Sequence, residues 1–335
     1  MARIIEKETA QTLPLKRYPG NPILEPKRGH WWESRYVLNS GAIRINGVVH
    51  IFYRALGTDG VSRLGLARSP DGLCIEERLA HPVFEPIGEA EKMGCEDPRL
   101  FMMGDRVFLF YNAYDGRLAQ IGLASIDVED LLADRWDRWE RHGHMFPGQP
   151  HRNPVLFPER TNGEYVLYYR IKPNIVISRA QDLTCPWNAD DGRFFMGPRE
   201  NYWDDSFIGG GAPPIKTEYG WLLIYHGVDQ NLVYRLGAFL VALDDPSTVL
   251  YRTPDPVLEP REVCEVGEPG KCWVPNVVFT CGAVPREDKE VLGAHDEILV
   301  YYGAADSVIG VATASVSDLV PCVAGWHEDE EGAPG

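Results

Sequence analysis

An all-β chain built as a five-bladed propeller is the fold class predicted by three observations. One unit recurs five times, its aromatic marker returns at a nearly constant interval, and helical periodicity is scarce. In each copy an apolar strand ends on an aromatic residue, and a second strand rich in Gly, Ala and Ser follows a short loop. The markers Tyr53, Tyr111, Tyr169 and Tyr225 recur at roughly 56–58 residues, with a longer step to Tyr302, a period that suits four-stranded blades carrying loops. Chance similarity within a β-sandwich is the competing reading.

The copies run in order along the chain. They are Val48 to Arg54 with Arg63 to Ser69, Val107 to Tyr111 with Ile121 to Ser125, and Tyr165 to Arg170 with Ile175 to Ala180. Trp221 to His226 with Leu236 to Leu240 and Ile298 to Tyr302 with Ile309 to Ser315 complete the set. Small residues in each second strand are expected to let neighbouring sheets approach closely. Asp127 to Arg141 is the best helical stretch and reads as an insertion in the second blade; Gly20 to Trp32 is an irregular lead. Residues 1–15 are expected to form an arm, 16–325 a single catalytic domain, and 326–335 a disordered acidic tail.

The charge balance is acidic: 33 Lys and Arg against 49 Asp and Glu, a net charge of -16. That argues against a nucleic-acid partner, whose phosphates need a basic surface, while a small anion can still be held by a local basic cluster. The 9 Trp, 15 Tyr and 12 Phe suit a ligand with flat faces, such as a sugar. Seven scattered cysteines without a CxxC pair suggest neither a disulfide framework nor a zinc site, and no metal or organic cofactor is expected. The N-terminus lacks the apolar core of a signal peptide, and no run is long enough to span a membrane. A reducing cytoplasm is the simplest location. Oligomeric state is open, a homo-oligomer included.

A polar or Gly/Pro motif opens each unit. Asn39-Ser40-Gly41, Glu96-Asp97, Arg152-Asn153-Pro154 and Gly209 to Pro214 lie about fourteen residues before their markers, and Val274-Pro275-Asn276 opens the fifth unit. Equal phase in a repeat means equivalent places in space, and the first strand of a blade lines the channel. The motifs should therefore converge at one channel mouth. Within Gly94 to Leu100, Pro98 is expected to hold Asp97 extended at the mouth of a strand. Arg99 is expected to keep a neighbouring carboxylate ionised or to orient it through a forked hydrogen bond. An ordinary turn with an ion pair is the plainer alternative. Arg54, Arg170 and His226 directly follow three markers, and Lys216 and Arg152 add further cations. Each alone reads as a surface charge; together, in so acidic a chain, they suit a phosphate pocket.

These residues carry a resemblance to glycoside hydrolase family 130, the β-mannoside phosphorylases and their hydrolytic relatives. The matching stretches are residues 94–100, 155–159, 211–217, 220–228, 234–238, 274–279 and 301–310, in order through nearly the whole chain. The resemblance implies a five-bladed propeller and inverting cleavage of a β-mannosidic bond, with inorganic phosphate as co-substrate and α-mannose 1-phosphate as product. It implies Asp97 as the general acid, acting through the 3-hydroxyl of the sugar at the scissile bond. It also implies Arg152, Arg170, Lys216 and His226 as the phosphate-binding set. Asn39, Ser40, Arg54, Arg63 and Asp306 resemble contacts to mannose, and Glu96 joins them as the neighbour of Asp97. His151-Arg152-Asn153-Pro154 departs from the family's more usual basic-Asp pairing.

An inverting glycosidase needs an acid and a base, whereas a phosphorylase replaces the base with cations that hold phosphate. One prominent carboxylate motif and several cations fit the phosphorylase. An inverting hydrolase and a non-catalytic sugar-binding propeller are the alternatives. A hydrolytic base would come from Asp204, Asp205, Glu262 or Glu265, of which the first two are expected to cap a turn and the last two to sit on a solvated loop. The linkage, β-1,4 or β-1,2, and the sugar beyond it stay open. Trp31-Trp32, Tyr202-Trp203 and Glu259 to Trp273 are the candidate selectors.

Overall fold

The structure, a computed structural model, describes residues 12–325. Residues 1–11 of the expected arm and the expected tail 326–335 lie outside the described residues, while Leu13 and Leu15 are buried in the core.

The chain folds as five successive antiparallel meanders. The first comprises strands Tyr36–Ile45, Val48–Leu56, Ser62–Ser69 and the short Glu77–Arg78. The second comprises Gly94–Met103, Arg106–Tyr114, Ala119–Asp127 and Glu140–His144, and the third Arg152–Leu156, Tyr165–Ile171, Asn174–Ala180 and Arg193–Met196. In the fourth, Phe207–Gly210 and Ile215–Thr217 both pair with Gly220–Val228, followed by Tyr234–Val241 and Val249–Arg252. The fifth contains Val278–Pro285, Glu297–Ala304 and Val308–Ser315. Its outer strand, Lys16–Arg17, comes from the opposite end of the chain and pairs with Thr313 and Ala312. Strand pairing thus gives five units in four sheets, because one parallel contact, Ser62 opposite Gly94, joins the first two units.

The helix expected over Asp127 to Arg141 is only Val128–Leu132. Asp134 takes a left-handed turn, φ 56°, and the chain resumes as the strand Glu140–His144. Trp136 and Trp139 set that limit by packing edge-on against Phe52, so tertiary burial overrides the local pattern.

The small residues of the third strands also serve differently from expectation. Gly65, Gly122, Gly237 and Gly310 lie directly opposite Tyr53, Tyr111, Tyr225 and Tyr302. A Cβ on these glycines would stand 2.4, 2.5, 2.4 and 2.7 Å from the facing ring. The missing side chain makes room for the unit's own tyrosine, not for the neighbouring sheet.

Each of these tyrosines ends in a buried ion pair. Tyr53 Oη donates to Glu33 at 2.8 Å, and Arg78 binds the same carboxylate. Tyr225 Oη donates to Asp204 at 2.8 Å beside Arg199 and Arg252. Tyr302 Oη donates to Glu265 at 2.9 Å beside Arg17. In the second unit Arg141 bridges the two, reaching Glu91 at 2.5 Å and Tyr111 Oη at 3.1 Å. In every case the carboxylate sits on the segment leading into its unit, and an arginine comes from the outermost strand. The lock therefore pins the crossing chain to the edge it crosses. It also corrects two expectations: Asp204 and Glu265 are fully buried, not a turn cap and a solvated loop residue.

A buried carboxylate stripped of its cation is left uncompensated, which costs about 3–5 kcal/mol. Arg78→Ala is expected to lower stability by that order in urea titrations. Tyr53→Phe, which keeps the ring over Gly65, should lose about 1–3 kcal/mol. An Arg78→Ala loss below about 1 kcal/mol would contradict the lock.

Candidate active site

Three of the opening motifs are β-bulges. Register slips between Leu38 and Gly41, between Glu96 and Arg99, and between Arg152 and Val155. In each slip one residue is left-handed: Asn39 at φ 47°, Asp97 at φ 52° and Asn153 at φ 57°. Asn and Asp tolerate this region better than other residues with a side chain, and a bulge re-aims the side chain it carries. Asp97 is therefore not extended before Pro98, as expected; the extra residue of the bulge turns it. All three side chains line one cavity of about 170 Å³, together with Arg54, Arg152, Arg170, Tyr234, Val274, Val277, Phe279 and Asp306.

Asp97 is held at every polar atom. Asn39 Nδ2 donates to Oδ1 at 2.9 Å and Asn112 Nδ2 to Oδ2 at 3.0 Å. Arg54 lies 3.5 Å from Oδ1, and Arg99 Nη1 donates to the backbone carbonyl at 3.1 Å. Burial acts to raise the pKa of Asp97, but Arg54, the Asn39 hydrogen bond, Arg99 and Arg152 outweigh it and hold the carboxyl below its ordinary range. Glu96 moves the other way. Its burial outweighs the attraction of Arg54, 2.7 Å away, and Asp97 adds repulsion. Asp306 is raised to about 7 by burial, against Arg54 and with the repulsion of Asp97 and Glu96.

The opposite wall is cationic. Arg152 and Arg170 face each other directly across two strands. Arg152 has one long contact, 3.6 Å to Glu96, and Arg170 donates to His226 Nε2 at 3.4 Å. Burial and then Arg152 lower the pKa of Arg170 to about 10, which leaves it charged at neutral pH. His226 differs from the expectation of a cation. Burial, then Arg170, Arg99 and Lys172, push it well below its ordinary value, so it is a neutral acceptor that orients Arg170.

The structure brings Asn39, Arg54, Glu96, Asp97, Arg152, Arg170, His226 and Asp306 together. Ser40 is buried next to Asn39, and its Oγ has no partner among the described residues. Arg63 is held elsewhere, by Asp59 at 2.8 Å and Glu85 at 3.0 Å under the Trp31 ring. Lys216 is not brought to this cavity. It pairs with Trp221 at the start of a strand whose residue His226 lies five positions on, about 17 Å along at the usual strand rise. There it lines a separate cavity and binds both oxygens of Glu159 at 2.8 and 2.7 Å. Of the fifth motif, Val274 lines the site, and Asn276 accepts from the backbone N–H of Tyr234 at 3.0 Å.

Sequence reasoning missed Asn112 and Tyr234; Asn153 was expected at the channel mouth as part of its motif, with no role of its own. Asn112 had a signal, because it directly follows Tyr111 in the phase of Arg54, Arg170 and His226; a search for charge passes over it. The amide oxygens of Asn39, Asn112 and Asn153 are buried without a partner among the described residues. Such acceptors are rare in a finished core and suit a ligand rich in hydroxyl donors. The described residues hold no cluster able to bind a metal ion.

An all-β chain with this carboxylate and cation pocket belongs to glycoside hydrolase family 130, whose sequence model, described as beta-1,4-mannooligosaccharide phosphorylase, matches residues 14–324. Among similar proteins is a 1,2-beta-oligomannan phosphorylase of Thermoanaerobacter sp., 39% identical over 314 residues, covering 92% of this chain and 99% of the relative. A beta-1,2-mannobiose phosphorylase of the same organism is 38% identical, with 89% and 96% covered. A solved beta-1,2-mannobiose phosphorylase from Listeria innocua in complex with beta-1,2-mannobiose superposes with a TM-score of 0.78 at 25% identity, over 92% of this chain and 99% of that one.

Asp306 supplies a pH test. A raised carboxyl pKa means that the folded state holds a proton the unfolded chain has lost. Its contribution is full below the unfolded value of 3.8 and is lost as pH rises toward about 7. Asp306→Asn has no such loss. Its melting temperature relative to the parent protein is expected to be higher at pH 8 than at pH 5; a difference that does not change with pH would contradict the assignment.

Proposed function

We propose that the chain is an inverting β-mannoside phosphorylase that cleaves β-1,2-linked manno-oligosaccharides with inorganic phosphate. The observation that carries this reading is the division of the cavity. Asp97, Asn39, Arg54 and Asp306 belong to the first, second and fifth units, whereas Arg152, Arg170 and His226 belong to the third and fourth. Inversion needs donor and nucleophile on opposite faces of the sugar ring, and a mannose between these walls has them there. The β-1,2 linkage is favoured by the names of the relatives at 39% and 38% identity.

The five units are taken as five blades around one axis, with 16–325 as a single domain. Strand 36–45 touches 94–103, which touches 152–156, which touches 207–210, and 278–285 touches both the fourth unit and 36–45. That succession of neighbours supports a closed ring.

In the proposed reaction a phosphate oxygen held by Arg152 and Arg170 attacks the anomeric carbon as the glycosidic C–O bond breaks. Asp97 supplies the proton to the departing oxygen, relayed through the 3-hydroxyl of the mannose. Free Asp97 is ionised by the cations around it. Bound phosphate offsets those cations and so raises the affinity of Asp97 for its proton. The acid is thereby armed when the nucleophile is present. Phosphate needs no base, so positioning supplies most of the catalysis.

Asp97→Asn keeps the shape and removes the proton, and is expected to lower turnover by roughly 10²–10⁴-fold on an unactivated mannoside. Near-parental turnover would refute the assignment. Product analysis tests the nucleophile: α-mannose 1-phosphate is expected with phosphate present, and little cleavage without it. Full activity in phosphate-free buffer with release of free mannose would make the protein a hydrolase.

A further inference from the structure

We propose that Lys172 is a further phosphate-binding residue, completing the cationic wall in the place that sequence comparison gives to Lys216. The inference rests on the phosphorolytic reading above.

Lys172 stands two residues beyond Arg170, in the turn that directly follows the strand ending at Ile171. Both cations use one ring: Lys172 Nζ lies 4.0 Å and the Arg170 guanidinium 5.4 Å from the centre of Phe207. The turn that carries Lys172 is fixed over the fourth unit, because Ile208 N donates to the Pro173 carbonyl at 3.0 Å. Phe207 in turn meets the edge of Tyr234, a lining residue, and Tyr234 stacks on His226. Lys172 is thus tied to the cavity through packed rings, at its solvent side.

Among the described residues no carboxylate pairs with Lys172 or with Arg170, although most cations of this acidic chain have such a partner. The two side chains therefore carry unneutralised positive charge, and Lys172 feels its neighbours. Burial, then Arg170 and Arg152, lower the pKa of Lys172. An anion with three acceptor oxygens relieves that repulsion, and a phosphate matches it in charge and shape. Lysine suits the outer position, where a mobile point charge draws the anion in, while the buried arginines fix its orientation. The opposite holds for Lys216, whose charge is already met by Glu159.

The test is steady-state phosphorolysis by Lys172→Met, Lys172→Arg and Lys216→Met, with phosphate and mannoside varied separately. Lys172→Met keeps the aliphatic stem over Phe207 and removes the charge. It is expected to raise the phosphate concentration for half-maximal rate about 5-fold or more, equivalent to roughly 1 kcal/mol, with the mannoside KM within about 2-fold of parental. Lys172→Arg should recover most of the loss, and Lys216→Met should leave both constants unchanged. Added salt should weaken phosphate use more in the parent protein than in Lys172→Met. If the parent depends on phosphate and Lys172→Met does not alter its half-saturation, Lys172 is an ordinary surface lysine and the inference fails. An equal rise for mannoside and phosphate would also overturn it. If the parent protein shows no phosphate dependence, the phosphorolytic reading itself has failed.

Discussion

The site depends on one buried guanidinium. Arg99 is almost wholly enclosed, and its donors go to backbone carbonyls: Gly211 at 2.8 Å, Gly210 at 3.1 Å and Asp97 at 3.1 Å. It thereby ties the second unit to the fourth through the middle of the molecule. A buried charge is tolerated only where hydrogen bonds replace its water, so this geometry leaves little freedom. It also helps to fix the left-handed Asp97, a conformation that costs of order 1–3 kcal/mol and persists only when the surroundings over-determine it. Asn39 and Asn112 complete that determination from the first and second units. Of the two roles expected for Arg99, it helps to keep Asp97 ionised, but in place of a fork onto the carboxylate it holds the backbone on which the carboxylate stands.

Around that centre the protein separates its charges. Carboxylates collect on one wall, paired with Arg54, and Arg152 and Arg170 stand on the other. In free solution such groups would neutralise one another. Here strand geometry keeps Arg170 away from Asp97, and burial keeps His226 neutral. On the proposed function, the energy of that arrangement is recovered when phosphate and a mannose ring fill the space. The depressed pKa of Asp97 is consistent with an acid that takes up its proton only in the loaded state.

The peripheral locks explain why the centre can be so constrained. Among the described residues, four of the five lead-in segments are clamped by a tyrosine lying over glycine and by an arginine from the outer strand. Part of this pattern is present in the spacing of residues. Glu33 precedes Tyr53 by 20 positions and Asp204 precedes Tyr225 by 21. The third unit departs from it: Tyr169 faces Val176 and bonds to Ser178 at 3.2 Å. That departure shows the lock to be a repeated solution to crossing a sheet edge, not a requirement of the β-meander itself.

The sequence alone determined the five units, their phase, and the positions that would share the cavity, because strand alternation and repeat register are local properties that a period exposes. Asp97, Asn39, Arg54, Arg152 and Arg170 were legible for that reason, and so was the family. Tertiary structure decided what those positions become. A bulge turned Asp97 out of the extended conformation expected before proline. Lys216 left the site because it pairs with the wrong end of its strand, a distance that motif matching does not measure. Asn112 entered it as a neutral group, invisible to a search for charge. Glu265 is held in the core by Arg17 from the opposite end of the chain, and Asp204 by Arg252 from the outer strand as well as by the nearby Arg199. Burial and pairing depend on what the folded chain brings from afar, and local pattern carries no record of it.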